Sequence, residues 1–231
     1  MKVGVLEAGG PPPDLADRFD GYADMVLDLL GPGFTGRAYD VRTGELPDSP
    51  AACEAWVITG SSAGVYDADP WIVPLTAFVR QASGQAPMIG ICFGHQLMAQ
   101  AFGGAVIKSP KGWGVGLHTY EVDRPTAWMD DTPQVRLAVS HQDQVVALGP
   151  ACEQVGGSAF TPFGMLAYPQ RRAFSIQAHP EFAPDYATAL VDSRRGQPFD
   201  APTADAAVQS LAGPNDRHRV AAWLRRFLAT A

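Results

Sequence analysis

Residues 88–104, MIGICFGHQLMAQAFGG, leave the chain little freedom. The apolar run Met88–Ile91 has strand length. A helical pattern follows at once and stops at Gly103-Gly104. A strand that becomes a helix with no loop between them needs a sharp turn. Gly90 and Gly94 stand two residues either side of Cys92 at that join. This is the form of the G-x-S-x-G nucleophile elbow, with cysteine in place of serine. It predicts that Cys92 tops the end of a strand, where open α/β sheets bind ligands. The helix N-terminus would lend the sulfur partial positive charge, and the N–H of Phe93 would face an oxyanion formed beside it. The pentapeptide alone fits a buried structural cysteine equally well.

The flanking chain supports an α/β fold. KVGVLE near the N-terminus and AWVI at 55–58 are short apolar runs closed by glycine-rich turns, and a further strand is expected over 37–41. Leu15, Phe19, Tyr22, Val26, Leu29 and Leu30 recur at helical spacing, with Asp14 as cap and Gly31-Pro32-Gly33 as stop. Trp71, Leu75, Phe78 and Val79 mark another helix, which Asp67-Ala68-Asp69 is placed to cap. Alternating strands and helices predict an open, mostly parallel central sheet with helices on both faces. After Gly104 the pattern changes to strands: 115–122, 135–139, 145–148, 165–168 and 174–177, the last two joined by a hairpin turn at 168–172. These are expected as antiparallel additions to the same sheet. Helices near 185–194 and 216–228 close the chain, and 196–202 reads as a surface connection. One domain over residues 1–231 is expected.

Composition narrows the function classes. A net charge of −7 and the lack of a Lys/Arg cluster give no footprint for nucleic acid or an anionic membrane surface. No segment approaches the roughly 20 apolar residues of a membrane span, and no signal peptide is legible. The three cysteines form no CxxC pair, so a reducing, cytoplasmic setting is expected. No P-loop or dinucleotide fingerprint is present, and no cofactor is expected.

A cysteine nucleophile needs a proton acceptor and donor. Of the five histidines, His95 follows the elbow by three residues and points off its apex, while His218 lies in the terminal helix. His179 closes a strand and precedes Pro180-Glu181. Proline holds the preceding residue extended, and residues two apart in extended chain share a face. Glu181 can therefore orient His179, leaving its second nitrogen for Cys92: a nucleophile–base–orienter set. The bland alternative is a His-Pro turn with a solvated Glu181. A zinc site from Cys92, His95 and His179 is a weaker rival, because an elbow displays only one of its first two ligands and no paired motif supports it. No metal is expected.

With those residues in place, GICFGHQ, His179-Pro180-Glu181-Phe182 and the upstream VITGS resemble the class I glutamine amidotransferases. The resemblance runs from about Val57 to Phe182. It is nearest to the glutaminase domain of GMP synthase and to γ-glutamyl peptidases. It implies a flavodoxin-like fold and attack of Cys92 on the glutamine side-chain amide, with His179 as acid/base and Glu181 as its orienter. Ammonia leaves, and water releases glutamate from a γ-glutamyl thioester. It further implies that Gly60 and Phe93 supply the oxyanion N–H groups and that Gln96 contacts substrate. Ser140, His141 and Asp143 would lie near the substrate's α-amino and carboxylate groups. The ammonia would go to an acceptor or to a synthetase partner in trans. A self-contained γ-glutamyl hydrolase is the alternative. A non-catalytic regulatory module is a remote one, since all three of Cys92, His179 and Glu181 are present.

Overall fold

The computed structural model describes residues 1–230. Its frame is a twisted sheet whose first half is parallel. Here β2 (Thr35–Asp40), β1 (Lys2–Glu7), β3 (Ala55–Ile58), β4 (Met88–Ile91) and β11 (Ala173–Ile176) lie side by side and run the same way. The second half is antiparallel: β10 (Met165–Tyr168), β9 (Glu153–Gly157), β6 (Gly114–Val122) and β7 (Gln134–His141).

Alternation along the parallel strands fills two cores. Val3, Val5, Val57, Ile89, Ile91, Phe174 and Ile176 face α1 (Tyr22–Leu30) and α6 (Arg217–Thr230). Leu6, Trp56, Ile58 and Met88 face α2 (Ile72–Ala82) and α3 (Phe93–Ala101). Burial on both faces is why these strands read as unbroken apolar runs. A third cluster, under α4 (Pro184–Ser193) and α5 (Ala201–Leu211), joins Leu15, Tyr22, Phe182 and Tyr186. No helix among the described residues is long and apolar enough to cross a membrane.

The α/β fold, the elbow strand and helix, and the hairpin through Tyr168–Arg172 match the expectation. Several details differ. The helix expected from Leu15 begins only at Tyr22. Residues 13–19 form turns, and Gly21 caps the helix with the Glu7 carboxylate accepting from the Ala23 N–H at 3.0 Å. Leu15 and Phe19 keep helical spacing because they pack on the third cluster, not because they belong to that helix. Asp67 and Asp69 do not cap α2 through their side chains; Asp67 accepts instead from the Gly64 N–H at 2.7 Å. The segment near 145–148 leaves the main sheet: β5 (Ala105–Lys108) and β8 (Asp143–Ala147) form a separate two-stranded ribbon. Strands β5 and β9 and helix α5 were not legible in the pattern.

Candidate active site

Register brings the site together before any side chain is considered. In the parallel half, Ile91 of β4 sits beside Ile176 of β11, and Gly90 sits beside Ile58 of β3. The residues that follow these three strands, Cys92, Gln177-Ala178-His179 and Thr59-Gly60, therefore leave the same sheet edge as neighbours. The Cys92 N–H continues the ladder to the Ile176 carbonyl at 2.9 Å.

Cys92 has φ 51° and ψ −100°, left-handed backbone that a side-chain-bearing residue rarely adopts. Its two glycines are sterically required. A Cβ on Gly90 would lie 2.5 Å from Met98 Sδ and 2.6 Å from the Gly94 carbonyl. One on Gly94 would lie 2.4 Å from the Ile58 carbonyl oxygen. Since that obstacle is backbone, Gly94→Ala is expected to cost about 2 kcal/mol or more, the upper part of the overpacking range, and to lower activity as Cys92 moves. Urea unfolding checks this; parental stability would show that the strand and helix are not so tightly crossed.

His179 stands opposite. Its N–H donates to the Ala138 carbonyl of β7 at 2.9 Å, and its ring stacks on Phe182 at 4.0 Å between centroids and 5° between planes. Nδ1 lies 2.7 Å from Glu181 Oε1. Both side chains are buried. Arg217 braces this turn from behind, donating from its guanidinium to the Pro180 carbonyl at 3.2 Å and the Glu181 carbonyl at 3.3 Å. Burial alone pulls the imidazole's pKa down, but the Glu181 carboxylate, and then Cys92, outweigh it and raise the value to about 10. Gly60 is wedged between the two partners: a Cβ there would sit 2.8 Å from His179 Cε1 and 3.6 Å from Cys92 Cβ. The loop it belongs to is pinned by Thr59, whose hydroxyl accepts from the Ala8 N–H at 2.9 Å. In the first turn of α3, the Gly94 N–H donates to Thr59 and the Gln96 N–H to Cys92, and that of Phe93 has no partner among the described residues.

Beside Cys92 opens a cavity of about 290 Å³ into which Gln96, Ser140, His141 and Asp143 all project. Gln96 spends its amide N–H groups on the Asp143 carbonyl (3.0 Å) and Gln177 Oε1 (3.2 Å), so toward a ligand it offers its carbonyl oxygen. His141 is buried, with Nδ1 3.1 Å from the Asp143 carbonyl, and burial pushes its pKa down to about 3, keeping it neutral. The Asp143 carboxylate accepts from Tyr66 Oη at 2.8 Å. His95 lies elsewhere: fully buried, it pairs with Ser175 Oγ at 2.8 Å.

Sequence reasoning missed Gln177, whose amide donates to Cys92 Sγ at 3.6 Å. Gln177 is the first residue past β11, where the chain bends, and no local pattern marks it. Sequence reasoning also missed Tyr66, Lys108, Trp113 and Arg194, which line the same cavity and belong to no motif.

Comparisons with known proteins bear on the family and the fold. The family model "Glutamine amidotransferase class-I" matches residues 55–191. The chain is 28% identical to a glutamine amidotransferase-like protein of Schizosaccharomyces pombe over 98% of both chains. It is 28% identical to gamma-glutamyl peptidase 4 of Arabidopsis thaliana, over 83% of this chain and 80% of that one. It is 33% identical to the glutamine-hydrolyzing GMP synthase of a Parafrankia strain, over 62% of this chain but only 24% of the synthase. The crystal structure of a glutamine amidotransferase from Thermotoga maritima superposes with a TM-score of 0.77 at 17% identity, covering 100% of this chain and 99% of that one. With a buried cysteine on a strained elbow and histidine and glutamine side chains around it, the chain belongs to the class I glutamine amidotransferase family.

Proposed function

We propose that the protein hydrolyses the side-chain amide of glutamine through a γ-glutamyl thioester on Cys92. The observation that carries this reading is the buried Glu181–His179 pair held against the elbow cysteine. Glu181 fixes the imidazole with Nδ1 toward itself, so that Nε2 holds the proton given up by the thiol. The sulfur attacks the amide carbon. The N–H groups of Phe93 and Gly60 receive the oxyanion, and the C–N bond breaks as His179 returns the proton to the departing ammonia. Water, deprotonated by His179, then cleaves the thioester and releases glutamate. Within the cavity, Asp143 suits the substrate's α-ammonium and Lys108 its α-carboxylate, with Gln96, Ser140 and His141 shaping the wall. The chain works as one such domain. The ammonia goes to an acceptor or to a synthetase in trans, which the likeness to the synthase's glutaminase portion supports.

A second reading, hydrolysis of γ-glutamyl amides other than glutamine, is supported by the likeness to the Arabidopsis γ-glutamyl peptidase, 28% identical over 83% of this chain. Both readings use the same thioester. Purified protein assayed for glutamate and ammonia tests them together, and inertness toward glutamine and γ-glutamyl amides alike would count against both.

Cys92 is also expected to react with a glutamine-mimicking electrophile about tenfold or more faster than the other cysteines. Burial raises the Cys152 thiol to about 11, and Cys53 is packed in the core. Peptide mapping after limited labelling reads this out; equal labelling of all three cysteines would argue against an activated sulfur.

A further inference from the structure

We propose that the cavity contains a subsite for an anionic leaving group, centred on Arg194, and that γ-glutamyl amino acids with a free carboxylate are its preferred substrates over glutamine. The inference rests on the Cys92–His179 chemistry just proposed and adds which amine departs.

Arg194 follows the last turn of α4, half-buried, and lines the same cavity as Cys92. It also lines a small void of about 30 Å³ against His179. Its guanidinium donates to Ser140 Oγ at 2.8 Å and makes no ion pair among the described residues. The adjacent Arg195 takes the neighbouring carboxylates, Asp192 at 2.9 Å and Asp205 at 2.7 Å. The charged side chains on the cavity wall are Asp67, Asp143, Lys108 and Arg194. Asp143 is tied to Tyr66, and Asp67 to the Gly64 N–H. Lys108 pairs in register with Asp143 across the β5–β8 ribbon, on the Gln96 side. Arg194 is thus the cation anchored on the His179 side.

That side is defined by the chemistry. Ser140, the anchor of Arg194, is two residues along β7 from Ala138, whose carbonyl receives the His179 N–H. Arg194 and His179 are therefore fixed to one face of one strand. The proton that frees the leaving nitrogen comes from His179, so that nitrogen lies beside His179, and a substituent on it extends along the wall that Ser140 and Arg194 share with His179. In glutamine that substituent is hydrogen, and the subsite stays empty. In a γ-glutamyl amino acid it is an α-carbon bearing a carboxylate, a group that a guanidinium with no carboxylate partner among the described residues recognises through charge-assisted hydrogen bonds. Trp113, 36% exposed with its ring 6.0 Å from the Arg194 guanidinium, walls the same end and offers an apolar surface to the departing residue. The S–C bond forms, the C–N bond breaks, His179 protonates the nitrogen and the free amino acid leaves. Water then converts the acyl group to glutamate and restores the thiol.

The test compares kcat/KM for γ-glutamylglycine, its C-terminal amide γ-glutamylglycinamide, and glutamine. The parent protein is expected to favour the free acid over the amide by about 10- to 100-fold, the worth of one hydrogen bond to a charged group. In Arg194→Gln that ratio falls toward one, and in Arg194→Lys part of it survives. Release of glutamate from all three substrates with no preference for the free acid overturns the subsite and leaves the thioester chemistry standing. A preference that persists in Arg194→Gln assigns it elsewhere and also overturns the subsite. Release from none of the three overturns the underlying chemistry, and the subsite with it. The comparison in the parent protein stands even if the variants fold poorly.

Discussion

Cys92→Ala is expected to lose about 10⁴-fold or more in turnover while keeping its fold, the size of loss seen when a nucleophile is removed from a set that acts as a unit. Cys92 is 4% exposed, and its sulfur touches the Gln177 amide and faces His179. Alanine keeps the Cβ and loses the sulfur's contacts with Gln177 and His179. It also keeps the φ of 51° that the elbow imposes, so the backbone strain is unchanged and unfolding should shift little. Cys92→Gly separates the two effects. It is equally inactive, but glycine relieves strain worth about 1–3 kcal/mol, and the variant should not be less stable than Cys92→Ala. Turnover that survives either change would remove the proposed mechanism.

Glu181→Gln is expected to lower kcat by about 10²- to 10⁴-fold with little change in shape, because an amide can present its N–H to Nδ1 and favour the wrong tautomer. The same substitution changes how stability depends on pH. His179 has its pKa raised in the fold, so its contribution is fully present below the ordinary value of 6.5 and is lost as pH rises toward about 10. The parent protein should therefore lose stability across that window. In Glu181→Gln the carboxylate that raises the imidazole is gone, so the loss should shrink and be complete at lower pH. Urea unfolding at the two ends of the window measures it. An unchanged slope in Glu181→Gln would mean that the carboxylate does not hold the imidazolium.

The parts of the site that were legible in sequence are those built from local geometry. The elbow needs glycine where a Cβ would strike Met98 or the Ile58 carbonyl, and His179 meets Glu181 across a tight turn through Pro180 rather than along extended chain. These constraints are written in adjacent residues. The misses have physical causes too. Helix α5 buries Ala204, Ala207 and Leu211, and a stripe of alanines gives a weak apolar period. Strand β9, EQVGG, has no run to read, because its glycines sit where Met165 and the Pro162 carbonyl crowd the backbone. The periodicity from Leu15 to Leu30 is real, but its first turns serve a different cluster, with Gly21 breaking the helix between them. Arg194, Lys108 and Trp113 carry no motif and reach the cavity only through tertiary folding, so nothing local marks them.

The most direct test of the account is an acid quench during turnover of glutamine, followed by mass measurement of the peptide that contains Cys92. His179→Ala, which lacks the group that both forms and releases the acyl group, is run in parallel and should carry little of it. The account expects one γ-glutamyl group on Cys92, absent from the peptides of Cys53 and Cys152 and removed by mild base. Glutamate released with no such adduct at any time, or an adduct on another residue, would contradict it.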